Sequence, residues 1–150
     1  MKQLIFLVLG SFFYSSIHAQ VKKPVNWEYS IIKLSSDTYE VKITAFLDAG
    51  WHIYSQSTPK GGPTPTKFIF TKNPLLNIQG AVTEIGKKET IYEELFGVDV
   101  IQFSNSVVFT QKVQVRGKVN TALMGNVEFM ACNDSECLPT TKQQFNIPLK

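Results

Sequence analysis

The chain has 150 residues, enough for one domain with a substantial core, and its 43% hydrophobic content is that of a globular protein. Its 15 basic residues outnumber 12 acidic ones, giving +3, but they are scattered, with no run beyond Lys22-Lys23 and Lys87-Lys88. The basic stripe of a nucleic-acid-binding module is missing, so no nucleic-acid partner is expected.

Met1-Lys2 is a short basic opening, residues 4–14 are mostly apolar, and Ser15-Ser16-Ile17-His18-Ala19 is a small-residue exit. This order predicts a secretory signal peptide over residues 1–19, cut after Ala19. The apolar run, broken by Gly10 and Ser11, falls short of the roughly 20 residues of a membrane span, so no stable membrane insertion is expected after cleavage. Residues 20–150 then form one exported domain, in a compartment where disulfides persist.

The exported part reads as strands. Residues 27–34 are a first candidate, and residues 39–47 alternate apolar with polar at period two, which gives that strand one buried face. Further runs follow at 51–54, 67–71, 78–85, 98–103, 107–115, 123–131 and 143–147. Turn formers separate them: Asp48-Ala49-Gly50, Lys72-Asn73-Pro74, Ser104-Asn105-Ser106 and Arg116-Gly117-Lys118. Many short strands at near-regular spacing predict an all-β sandwich. The one competing helical stretch, residues 88–96, is short and poorly patterned.

Three stretches between strands are weighed for chemistry. Trp51-His52-Ile53-Tyr54 holds the sole histidine outside the leader, and His52 reads as a partly buried polar residue with a backbone partner rather than a catalytic group. Gly61-Gly62-Pro63-Thr64-Pro65 reads as a rigid loop. Glu93-Glu94-Leu95-Phe96-Gly97 sets two apolar side chains in a strand-to-strand loop, as core anchors or as a cover for a reactive site.

The two cysteines are Cys132 and Cys137, separated by the turn-forming Asn133-Asp134-Ser135-Glu136. Opposed residues of an antiparallel pair lie about 4.5–5.5 Å apart at Cα, within reach of a disulfide. Two thiols and one distant histidine do not make a hydrolytic zinc site, and no phosphate-cradling glycine loop, G-x-S-x-G or haem-attaching motif is present, so neither a metal nor a cofactor is expected. The pair is either a structural staple or a redox centre. Closing so short a loop removes only about 2 kcal/mol of unfolded-state entropy, a weak return for a staple.

Cys132 to Pro139, with Gly50-Trp51-His52-Ile53-Tyr54-Ser55 and Gly61-Gly62-Pro63 upstream and Phe96-Gly97 between, resembles the N-terminal periplasmic domain of the thiol:disulfide interchange protein DsbD. The resemblance spans about residues 26–149 and implies an immunoglobulin-like β-sandwich. It also implies a periplasmic dithiol that takes electrons from a membrane-embedded donor and passes them to thioredoxin-like proteins, including factors of cytochrome c maturation. By position, Cys137 forms the mixed disulfide with the partner and Cys132 resolves it. Glu93, Glu94, Leu95, Phe96 and Gly97 correspond to the family's cap loop, with Leu95 at the usual aromatic position and Phe96 beside it.

This sequence departs from the family in two respects. Four residues separate the cysteines where family members have five, and the sequence stops at Lys150 where the family continues into a membrane conductor and a thioredoxin-like domain. The expectation is therefore a separate membrane-embedded thiol electron donor. Asp134 and Glu136 beside the thiols, with no cation in the turn, predict weakly activated cysteines that depend on a partner's geometry. The competing expectation is a non-catalytic immunoglobulin-like binding module with an inert bridge.

Overall fold

The computed structural model describes residues 22–150, and the proposed signal peptide lies outside them. The described residues contain eleven strands: β1 (Val25–Lys33), β2 (Thr38–Leu47), β3 (His52–Tyr54), β4 (Lys67–Phe70), β5 (Leu76–Ile85), β6 (Glu89–Glu93), β7 (Val98–Ser104), β8 (Ser106–Val115), β9 (Thr121–Phe129), β10 (Ala131–Cys132) and β11 (Thr141–Leu149). All pairings are antiparallel, in sheets ordered β1-β2-β8-β5, β10-β3-β7-β6 and β11-β9-β4.

Period-two alternation builds the core. On β2, Tyr39, Val41, Ile43, Ala45 and Leu47 are buried, while Glu40, Lys42 and Thr44 between them are half-buried on the other face. They meet Val107, Phe109 and Val113 of β8, Leu123, Val127 and Phe129 of β9, and Phe145, Ile147 and Leu149 of β11. Each such fully buried aliphatic or aromatic side chain contributes on the order of 1.5–3 kcal/mol, so this cluster dominates the stability. Trp27 lies on it, its ring centroid 5.3 Å from Phe129 and 6.1 Å from Phe109.

The sheet β10-β3-β7-β6 is apolar on both faces, and that property positions the site. Ile53, Phe103 and Ala131 point into the main core. Their neighbours Tyr54 and Cys132 point the other way, joining Val100 in a second cluster with Ile91, Val98, Met130 and Cys137 at its margin.

The expected strands are present, with two differences. The run 123–131 is not one strand: β9 ends at Phe129 and β10 crosses to pair with β3, Ala131 opposite Ile53 and Cys132 opposite His52. The stretch 88–96 holds strand β6, paired with β7, rather than a helix. Its pattern misleads because Glu89 and Glu93 take the half-buried face beside Ile91, while Thr90 and Tyr92 face solvent.

Candidate functional site

The turn between the cysteines is shaped by Asn133. Its side-chain oxygen accepts the backbone N–H groups of Ser135 (2.9 Å) and Glu136 (2.8 Å), and its own N–H donates to the Glu136 carbonyl at 2.9 Å. The chain thereby doubles back, and Leu138 N–H donates to the Ala131 carbonyl at 2.9 Å. Cys132 and Cys137 face each other as an isolated antiparallel bridge, bonded through sulfur with Cα atoms 4.1 Å apart. The two are unequal in exposure: Cys132 is 2% exposed, whereas Cys137 is half-buried.

The cap candidate is the β6–β7 hairpin. The N–H groups of Phe96 and Gly97 both donate to the Glu93 carbonyl, at 3.1 and 2.7 Å, and Gly97 closes the turn at φ 69°, a left-handed conformation natural to glycine. This turn projects Leu95 outward, 80% exposed, into the wall of a cleft of about 480 Å³ that also contains both cysteines. Glu93, Glu94, Tyr92, Ile91 and His52 complete that side of it. Of the cap residues singled out in the sequence, Glu93, Glu94 and Leu95 line the cleft; Phe96 is half-buried and, like Gly97, lies outside the lining. The Gly61-Gly62-Pro63 loop stands behind the site. Gly62 approaches Val98, and Thr64 hydrogen-bonds Thr140, three residues beyond Cys137, at 2.8 Å.

A polar chain runs along the cleft wall. Tyr54 OH donates to Glu93 Oε2 at 2.9 Å, and His52 Nε2 lies 3.2 Å from the same phenolic oxygen. Burial, reinforced by the Glu93 carboxylate, holds the Tyr54 phenol protonated well beyond its ordinary range. Burial also lowers the His52 pKa, against the opposing pull of Glu93, Asp134 and Glu89. A side-chain partner thus replaces the backbone partner expected for His52. The sequence signal for this chain was the i, i+2 spacing of His52 and Tyr54, which puts both on one strand face.

Among the described residues, four carboxylates, Glu93, Glu94, Asp134 and Glu136, line the cleft, and no lysine or arginine does. The cation missing from the turn comes instead from afar: Lys22 pairs with Glu136. Sequence distance concealed that pair.

The family described as "Thiol:disulfide interchange protein DsbD, N-terminal" matches residues 20–149. Among solved structures, the N-terminal periplasmic domain of ScsB from Proteus mirabilis aligns with a TM-score of 0.61 at 16% identity, covering 84% of this chain and 47% of that one. The N-terminal domain of Neisseria meningitidis DsbD in the reduced form aligns with a TM-score of 0.54 at 15% identity, over 83% of this chain and 84% of that one. A search of curated protein sequences finds no match. The fold these likenesses share is the immunoglobulin-like sandwich.

Proposed function

The chain belongs to the family of DsbD N-terminal domains, thiol:disulfide interchange modules, and from that premise we propose that it is an exported electron relay whose Cys132–Cys137 pair cycles between disulfide and dithiol. Residues 1–19 direct export to the periplasm. A membrane-embedded thiol donor reduces the pair, and thioredoxin-like periplasmic proteins take the electrons onward. In the reduced form, Cys137 attacks the partner's disulfide, and Cys132 then attacks Cys137, releasing the reduced partner and restoring the internal bond.

The observation that carries this reading is the disulfide's position in the wall of a cleft, with Cys137 the more exposed cysteine and Cys132 the buried one. An inert staple has no need of an approachable face, whereas exchange requires in-line access to one sulfur. Leu95 at the rim supports a lid that small oxidants meet first and that docking displaces.

Trapping tests the proposal. With Cys132→Ser expressed in the cell envelope, a mixed disulfide through Cys137 to a thioredoxin-like protein is expected. Repeated failure to recover one, under conditions that trap other envelope thiols, would favour a binding module with a structural bridge.

A further inference from the structure

The strand pairing sets a row of side chains across one sheet face. Ser104 of β7 is opposite His52 of β3, His52 is opposite Cys132 of β10, and Cys132 is opposite Cys137. Directly opposed residues of antiparallel strands project to the same side with Cβ atoms about 4.5–5.5 Å apart. His52 and both cysteines accordingly line one cleft.

Hydrogen bonding fixes the state of the imidazole. Tyr54 OH has one proton, and it is committed to Glu93 Oε2 at 2.9 Å. The phenolic oxygen can therefore only accept from His52 Nε2, 3.2 Å away, so Nε2 carries a proton, and in the neutral ring that burial favours Nδ1 keeps its lone pair. Glu93 and Tyr54 thus orient the histidine at the strand position opposite the buried Cys132, and Glu93 belongs to the turn that bears Leu95.

We propose that His52, oriented by Tyr54 and Glu93, is the proton acceptor for Cys132 when that thiol resolves a mixed disulfide. This role rests on the relay reading. In the step, the Cys132 S–H proton passes to His52 Nδ1, and the thiolate attacks the sulfur of Cys137. The Cys132–Cys137 bond forms while the bond from Cys137 to the partner breaks. The partner sulfur leaves as a thiolate with the electron pair; over the whole exchange Cys132 and Cys137 together lose two electrons and the partner disulfide gains them. In the reverse direction the imidazolium returns the proton to Cys132.

The need for such a base follows from burial. Cys132 is 2% exposed, so water reaches it poorly, and a thiol in apolar surroundings ionises reluctantly. The groups that face His52 are Tyr54 on its own strand, Glu89 and Glu93 from β6, Asp134 from the cysteine turn, Cys132 on β10, and the neutral Ser104 on β7. The carboxylates stabilise the imidazolium once formed, while burial keeps the ring neutral beforehand.

The reduced protein mixed with dithiobis(nitrobenzoate) separates the two steps, since Cys137 attack releases one thionitrobenzoate and Cys132 resolution releases the second. For the wild type, the ratio of second-release to first-release rate is expected to fall on acidification with an inflection below the ordinary histidine value of about 6.5. His52→Gln should lower that ratio by about tenfold or more and remove the inflection. His52→Ala should be slowed likewise and partly rescued by added imidazole. Tyr54→Phe, which keeps the ring but removes its orienting oxygen, should lower the ratio by a smaller factor and move the inflection. A wild-type ratio and pH profile in His52→Gln, or no imidazole rescue of His52→Ala, would overturn the proposal while leaving the relay reading intact. A wild-type protein that releases no second thionitrobenzoate would overturn both.

Discussion

His52 illustrates how one half-buried titratable group links stability to pH. Its folded pKa lies below the ordinary value of 6.5, chiefly through burial, so the unfolded chain binds the proton more readily. The contribution is present in full above the unfolded pKa and is lost as pH falls through about 6.5 toward the folded value. Urea unfolding of the oxidised protein should therefore show stability declining from about pH 7 to 5, with a flatter course in His52→Gln; equal slopes would contradict the assignment. Asp37, held low by hydrogen bonds from Gln114, Ser35 and Thr38, and Glu89, held low by Lys87 and Ser104, add a separate loss below about pH 4. Leu95 makes a different prediction. It is 80% exposed, so Leu95→Ala should barely change stability, yet it should speed reduction of the disulfide by dithiothreitol several-fold. An unchanged rate would remove Leu95 from the lid. At this scale the cysteine pair was legible because two thiols four residues apart are chemically distinctive. The partner of His52 was not, since Tyr54 looks like an ordinary strand residue until the sheet pairs it with Glu93.

Among the elements, the β6–β7 hairpin carries the proposed cap and depends on its closing glycine. Gly97 has φ 69°, and an alanine there would carry a left-handed backbone costing about 1–2 kcal/mol. Gly97→Ala should lose that much stability in urea titration and should also accelerate disulfide reduction, because the turn that projects Leu95 is displaced. Wild-type values for both would show that the cap geometry tolerates another backbone. The strand β6 itself escaped sequence reading because its inward residues Glu89 and Glu93 hydrogen-bond Ser104 and Tyr54, inverting the hydrophobic pattern that marks a buried face. The crossing from β9 to β10 escaped for another reason. Residues 127–132 continue in the same alternation, and a change of sheet leaves no mark in a period-two pattern. The strand β2, with one clean buried face, was readable almost to its ends.

For the molecule as a whole, the disulfide is peripheral to what holds the sandwich together. The main cluster is built chiefly on β2, β8, β9 and β11, with Ile53, Leu76, Phe103 and Ala131 joining it from β3, β5, β7 and β10, and neither cysteine belongs to it. Breaking a bond that closes so short a loop should cost only about 2 kcal/mol, so the reduced protein should keep its far-UV spectrum and its cooperative unfolding. Unfolding on reduction would instead make the bridge a staple. The same thermodynamic cycle bears on redox poise, since about 2 kcal/mol corresponds to only about 40 mV of added resistance to reduction. A relay needs this independence of fold and bond. The most direct measurement is the reduction potential of the Cys132–Cys137 pair, obtained by equilibrating the protein against thiol redox buffers. The relay account predicts a value above about −300 mV, within the span of thioredoxin-like exchange proteins; a value far below that would contradict it and leave a structural disulfide.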